Sequence, residues 1–108
     1  IDGGAAMGLG SALMEELHPY YPTLDHYPKG FFSYMLPTAK DVPDLDSVVV
    51  EMKSESGPYG AKGIGEMTAN SQAPAIVNAI HDAVGIWMTD LPATPEKVLK
   101  LLEEKEAG

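Results

Sequence analysis

The densest run of chemically useful residues is Gly57-Pro58-Tyr59-Gly60-Ala61-Lys62-Gly63-Ile64-Gly65-Glu66. Glycines at 60, 63 and 65 permit positive φ and carry no side chain, so backbone N–H groups can approach a bulky, electron-rich ligand. A carboxylate delivered at the end of such a loop, here Glu66, can act as a general base. The same residues also suit a flexible strand-to-helix turn with Glu66 simply exposed, and composition alone does not separate the two readings.

Other candidates are weaker. A phosphate-binding P-loop requires Gly-Lys-Ser/Thr, whereas Lys62 is followed by Gly63 and Ile64. Gly8-Leu9-Gly10 lacks both a preceding strand and the third glycine of a dinucleotide fingerprint, so helix packing explains it better. His18, His26 and His81 fall in two loops and a helix, with no i, i+4 pair and no neighbouring thiolate, and no metal ligands are expected among them. Met7, Met14, Met35, Met52, Met67 and Met88 are scattered and read as core filler. Tyr20, Tyr21, Tyr27, Phe31, Phe32 and Tyr34 suit either a substrate channel or aromatics packed beneath a loop.

The elements that must hold these residues follow from periodicity. Ala6, Leu9, Leu13 and Leu17 recur at helical intervals and predict a helix from Gly4 to about Leu17, with Gly8 and Gly10 marking close packing against another element. His18-Pro19 should end it, because the residue before a proline is driven out of the helical region. The proline-rich chain from Pro19 to Pro43 predicts irregular structure with one short strand near Phe31 to Met35. Ser47 to Met52 alternates, with Val48, Val50 and Met52 on one face, and is the best predicted strand. Ala73-Pro74 can begin a second helix with Val77, Ile80 and Val84 as its stripe and Gly85 as C-cap. Thr94-Pro95 opens a third, whose inner side carries Val98, Leu99, Leu101 and Leu102 ahead of a solvated Glu103-Glu104-Lys105-Glu106 end.

Composition bounds the rest. A chain of 108 residues suits one domain, residues 1–108, and at that length it should bury roughly two thirds of its unfolded surface. A formal charge of -9 with only seven Lys and Arg leaves no basic face for nucleic acid or an anionic membrane. The absence of Cys excludes disulfides, thiolate zinc and any iron–sulfur cluster ligated by this chain, and it fits a reducing cytoplasm, the expected compartment. The opening Ile1-Asp2-Gly3-Gly4 has no initiator Met, so the chain is expected to be a piece of something longer.

Four segments carry a resemblance. Ile1-Asp2-Gly3-Gly4, Gly8-Leu9-Gly10 and Glu15-Glu16 are similar to the IEGG, QGLG and EE pattern of the molybdenum-binding subunit of the xanthine dehydrogenase and aldehyde oxidoreductase family, the molybdenum hydroxylases. Tyr34, Leu36-Pro37-Thr38-Ala39 and Asp41-Val42-Pro43 resemble that family's YxxPTxxDxP segment, Gly60 to Glu66 its GAKGxGE loop, and Leu91-Pro92 with Thr94-Pro95-Glu96 its closing LPxTPE. Met7 stands where the family often has Gln, and Met67 where it often has Pro.

The resemblance implies an α+β fragment of a larger molybdopterin-binding domain, with three helices, one or two strands and the glycine loop. It implies oxidative hydroxylation of an aldehyde, purine or N-heterocycle with water as oxygen source. Glu66 would be the catalytic base, deprotonating a molybdenum-bound hydroxide as it attacks an electron-poor carbon. Lys62, Gly63, Ile64 and Gly65 would lie against the molybdenum–pterin cofactor, bound only in the complete enzyme. Iron–sulfur clusters and FAD would sit on other domains or subunits, and the remainder of the molybdenum subunit would be the first partner. A fragment cut from it should expose apolar surface and self-associate. The alternative from another class is a non-catalytic interaction module, or relic, that docks on a larger subunit.

Overall fold

Close packing by glycine organises the first third of the chain. The computed structural model describes residues 1–16 and 28–108. Helix α1 (Asp2–Leu13) buries Gly4, Gly8, Gly10 and Ala12. Three of these, at positions 4, 8 and 12, recur every fourth residue and form one face. That face is not the predicted leucine stripe: Ala6, Leu9 and Leu13 are only half-buried, and Leu17 lies outside the described residues. Without side chains at Gly4 and Gly8, α1 lies directly against the segment that follows the candidate base. A Cβ on Gly4 would collide with the Thr68 side chain, and one on Gly8 would fall 2.7 Å from Gln72 Cβ and 2.8 Å from the Ala69 carbonyl oxygen. The partners of Gly8 and Gly10, at both of which the sequence predicts close packing, are therefore inside the chain: Ala69 and Gln72 for Gly8, Glu15 and Pro37 for Gly10.

The helix ends four residues earlier than predicted, before His18-Pro19 is reached. Met14 leaves helical geometry at φ -131°, and Glu15 and Glu16 turn away to tie the end of α1 to its surroundings. Glu15 accepts a hydrogen bond from the Tyr34 hydroxyl at 2.5 Å. Glu16 pairs with Lys97 at 3.0 Å, and Asp90 reaches the same ammonium at 3.1 Å. Burial alone would lower the Lys97 pKa, but the hydrogen bonds from its ammonium to Glu16 and Asp90 outweigh that cost and hold it above the ordinary 10.5.

Helix α2 (Gln72–Val84) ends at Gly85 in the left-handed region (φ 69°, ψ 28°), whose N–H donates to the His81 carbonyl, as expected of a glycine C-cap. Helix α3 (Pro95–Ala107) starts at Thr94, whose hydroxyl accepts the Lys97 N–H at 3.4 Å, with Pro95 in the first turn. The two are joined by the link 86–93, where the core sits: Ile86, Met88 and Ala93 are buried, with Leu13, Val77, Ile80, Val98, Leu101 and Leu102 packed against them. Leu99, expected on the inner side of α3, is exposed, and so is Val84 at the end of the α2 stripe. Lys105 reaches back from α3 to the Val84 carbonyl at 2.8 Å, and the Ala93 N–H donates to the Ala12 carbonyl at 2.7 Å. Three helices are thus tied around one short link.

Two expectations fail. Among the described residues there is no β-strand, so the α+β class is corrected to helices plus irregular, unpaired chain. Residues 47–53 form no regular element and find no partner for a ladder among the described residues, and Gly30 to Tyr34 folds into a turn in which the Ser33 and Tyr34 N–H groups both donate to the Gly30 carbonyl at 3.1 Å. A strand is defined by its pairing, and alternation of side chains cannot supply the second backbone. Burial is also far below the expected two thirds. Ala12, Ile86, Met88 and Ala93 are the buried hydrophobics, and Met88 alone among the six methionines is core, with Met7, Met35, Met52 and Met67 exposed. No helix among the described residues is long and apolar enough to cross a membrane.

Gly8→Ala should destabilise the chain by about 1–3 kcal/mol despite the better helix propensity of alanine, because the Ala69 carbonyl cannot move cheaply. Gly3→Ala, where a Cβ meets nothing within 4 Å, should instead be neutral or stabilise by up to about 1 kcal/mol. Urea unfolding of both variants measures the contrast. Lys97→Met should cost about 1 kcal/mol at neutral pH by stranding Glu16. The folded pKa of Lys97 is raised, so its contribution is complete below 10.5 and is lost as pH rises through the higher folded value. The wild-type and variant unfolding curves should therefore converge only in that alkaline range.

Candidate functional site

The glycine loop is closed at its base by Ser54. The Ser54 N–H donates to the Gly60 carbonyl at 3.0 Å, while the Ser54 hydroxyl accepts the Gly57 N–H at 3.1 Å. Within this clamp Pro58–Gly60 makes a 3-10 turn, held by Gly60 N–H to Gly57 carbonyl and Ala61 N–H to Pro58 carbonyl, both at 2.9 Å. Tyr59 sits at φ 54°, unusual for a residue with a side chain, and its ring is fully exposed. From Ala61 the chain runs to Gly65 at φ 52°, which swings it into the 3-10 turn Met67–Ala69.

Glu66 is the residue between that swing and that turn. Its carbonyl accepts the Ala69 N–H at 2.9 Å, and Met67 N–H donates to the Ile64 carbonyl at 3.4 Å, so two backbone bonds fix where the residue stands. Just beyond it, Thr68, Ala69 and Gln72 are the residues that α1 presses through Gly4 and Gly8. The position of Glu66 is therefore inherited from the α1 packing. The side chain itself is exposed, and among the described residues it has no hydrogen-bond or ion-pair partner. A carboxylate in that condition remains free to accept a proton.

A cavity of about 640 Å³ opens beside the loop. That volume lies within the range of small-molecule and cofactor sites. One wall is the loop, with Lys62, Gly63 and Ile64, and Tyr59 and Met67 also line the space. The opposite wall is the segment Val49 to Lys53. Three of the four expected cofactor-facing residues thus share one cavity, whereas Gly65 and Glu66 are not among its lining residues and stand next to it in the chain. A Cβ added at Gly63 or Gly65 would meet nothing within 4 Å, which leaves the backbone there open to an approaching group.

Sequence reasoning did not single out Tyr59, Met67 or Val49 to Lys53 as lining residues. That segment could not be linked to the loop by periodicity, since the clamp between them is made by one serine. His81 stacks on Trp87 with ring centroids 3.8 Å apart and lies with Nδ1 3.2 Å from the Ile86 carbonyl. His18, His26, Tyr20, Tyr21 and Tyr27 lie outside the described residues. Among the described residues no three His, Asp or Glu side chains converge as a metal site.

With this geometry in place, comparison with known proteins decides the family. The chain is 40% identical over 110 residues to a probable xanthine dehydrogenase subunit of Bacillus subtilis (strain 168), covering 97% of this chain and 14% of that protein. It is 34% identical over 108 residues to the aldehyde oxidoreductase molybdenum-binding subunit PaoC of Escherichia coli (strain K12), covering 94% of this chain and 14% of that one. The chain belongs to the xanthine dehydrogenase and aldehyde oxidoreductase family. Its fold matches part of quinoline 2-oxidoreductase from Pseudomonas putida 86 with a TM-score of 0.80 and 29% identity, over 96% of this chain and 14% of that one. No family model matches. The chain therefore spans about a seventh of these relatives, and it is a small part of a molybdenum-binding subunit.

The glycines of this molybdenum-subunit segment differ in what they tolerate. Gly65→Ala should cost roughly 1–2 kcal/mol, because its positive φ strains any side chain although the space around it is empty. Gly63→Ala, equally open and without positive φ, should fall within about 0.5 kcal/mol of wild type in the same denaturation series.

Proposed function

We propose that this segment supplies the general base, Glu66, and one wall of the cofactor cavity to a molybdenum hydroxylase. The reaction is the oxidative hydroxylation of an aldehyde, purine or N-heterocycle, with water as the oxygen source. The observation that carries the reading is a carboxylate with no partner among the described residues, on a residue flanked by two backbone hydrogen bonds at the end of an open glycine loop beside a cavity of about 640 Å³.

The residues present fit a molybdenum–pterin cofactor. Gly63 and Gly65 leave their backbone uncovered, Lys62 brings a cation to the same rim, and no side chain fills the approach. When bound, such a cofactor supplies the oxidising equivalents and the activated oxygen. Lys62, Gly63, Ile64 and Gly65 hold its edge through backbone N–H groups and one ammonium. Glu66 accepts a proton at a carboxylate oxygen, and the backbone bonds around it keep the residue beside the cavity. Tyr59, Ile64 and Met67 add apolar surface to the cavity lining.

Partners follow from the same reading. The rest of the molybdenum subunit completes the cavity, and iron–sulfur and flavin centres on other domains or subunits take the electrons, since a chain without cysteine offers no thiolate to a cluster.

Glu66→Gln in the complete enzyme should retain molybdenum and pterin at wild-type stoichiometry while turnover falls by about 10²–10⁴-fold. Metal analysis with steady-state kinetics measures both. Wild-type turnover in that variant would remove Glu66 from the mechanism and leave the segment as a docking module.

A further inference from the structure

The segment Ser47 to Met52 has the composition of a buried strand and the surroundings of an exposed one. Its residues form no helix or turn, and among the described residues its backbone enters no ladder. Val48, Val50 and Met52 are 77%, 80% and 72% exposed on one face, and Val49 is 72% exposed on the other. Apolar residues on both faces are the mark of a strand covered on both sides, not of one that faces water. An unpaired row of N–H and C=O groups beside them is a template for another strand.

We propose that Ser47 to Met52 is half of a strand pair whose other half is a strand from the part of the molybdenum-binding subunit outside these 108 residues. The proposal rests on the chain being a segment of that subunit and is independent of what Glu66 does.

Three observations choose this occupant. The matching fold in quinoline 2-oxidoreductase makes up only 14% of its chain, so in that protein a much larger polypeptide accompanies this unit. The radius of gyration here is 17.5 Å, against about 13 Å for a compact domain of this length, so the molecule leaves room that other chain must fill. Net charge disfavours a second copy, since each chain carries -9, and the segment with its flanks holds Asp44, Asp46, Glu51 and Glu55 against the single cation Lys53. The complementary partner is an apolar, β-branched strand flanked by Lys or Arg. Pairing would also anchor Val49 to Met52, the wall opposite the glycine loop, so the cavity takes its final width only when the added strand is present.

Hydrogen–deuterium exchange on the complete enzyme tests this directly. Alternate amides from Val48 to Met52 should exchange at least about 100-fold more slowly than the intrinsic rate of an unstructured chain of the same sequence, as ladder hydrogen bonds require. Val50→Thr, which keeps β-branching, should preserve the protection at its neighbours, and Val50→Pro should abolish it. Exchange across the segment at that intrinsic rate would overturn the proposal. So would protection that appears in the isolated 108-residue chain, rises with concentration and accompanies a doubled mass in sedimentation, because a second copy would then be the partner. Since exchange is read without turnover, an inactive Glu66→Gln enzyme with a protected segment would separate this proposal from the catalytic one.

Discussion

Everything that could be chemical in this segment depends on the approach of α1 to the start of α2. Gly4 and Gly8 bring the helix backbone against Thr68, Ala69 and Gln72 with no side chain between them. That contact sets Thr68, Ala69 and the first residue of α2, and through the Met67–Ala69 turn it sets Glu66 itself. A larger residue at either glycine would move the turn and the carboxylate together. Glycine in a helix costs about 1 kcal/mol against alanine, and here the cost is offset by placing a loop that has little packing of its own.

The second anchor works at the other end of α1. Glu15 and Glu16, adjacent in sequence, take partners from different parts of the chain: Tyr34 from the proline-rich stretch and Lys97 from α3. Each is a carboxylate satisfied by a single strong donor, and together they fix how the helix end meets the link 86–93 and its small core. Thr38 and Asp41 make a local counterpart, in which the Asp41 carboxylate accepts both the Thr38 hydroxyl and the Thr38 N–H at 2.7 Å. Those two bonds hold the Asp41 pKa below its ordinary 3.8. The paired acids and the Pro-Thr-x-x-Asp run are therefore joints of the frame, not parts of the reacting centre.

What the sequence made legible is what is local. The Gly85 and Thr94 caps, the proline at the start of α3, and the Val77, Ile80, Val98, Leu101 and Leu102 faces all depend on neighbours within one or two helical turns, and each appears as expected. Misreadings arise where the deciding partner is distant or missing. The buried face of α1 is the glycine face, because its partner is Thr68 to Gln72, some sixty residues away, and no hydrophobic period can announce an interface made by removing side chains. Ser47 to Met52 alternates as a strand should, yet a strand needs a second backbone that the described residues do not provide. For the site, the open glycine loop and the exposed Glu66 were legible from residue types, while the cavity's second wall was not, since it is brought in by the Ser54 clamp.

The sparse core and the exposed valines have one physical explanation. Folding offsets chain entropy with buried apolar area, and a unit whose buried hydrophobics are Ala12, Ile86, Met88 and Ala93 buries little of it. Yet the chain has ample apolar surface, concentrated at Phe31, Phe32, Val48 to Val50 and Met52, all outside that core. A sequence under selection to fold alone would bury those residues or replace them with polar ones. Val49, Val50 and Met52 lie on the cavity wall and none of these side chains is in the core, which is the pattern the proposed strand pairing would bury. On the function proposed above, the Glu66 carboxylate and the glycine loop would stand at the border between this small frame and the rest of the subunit, where an open backbone could meet a ligand from one side.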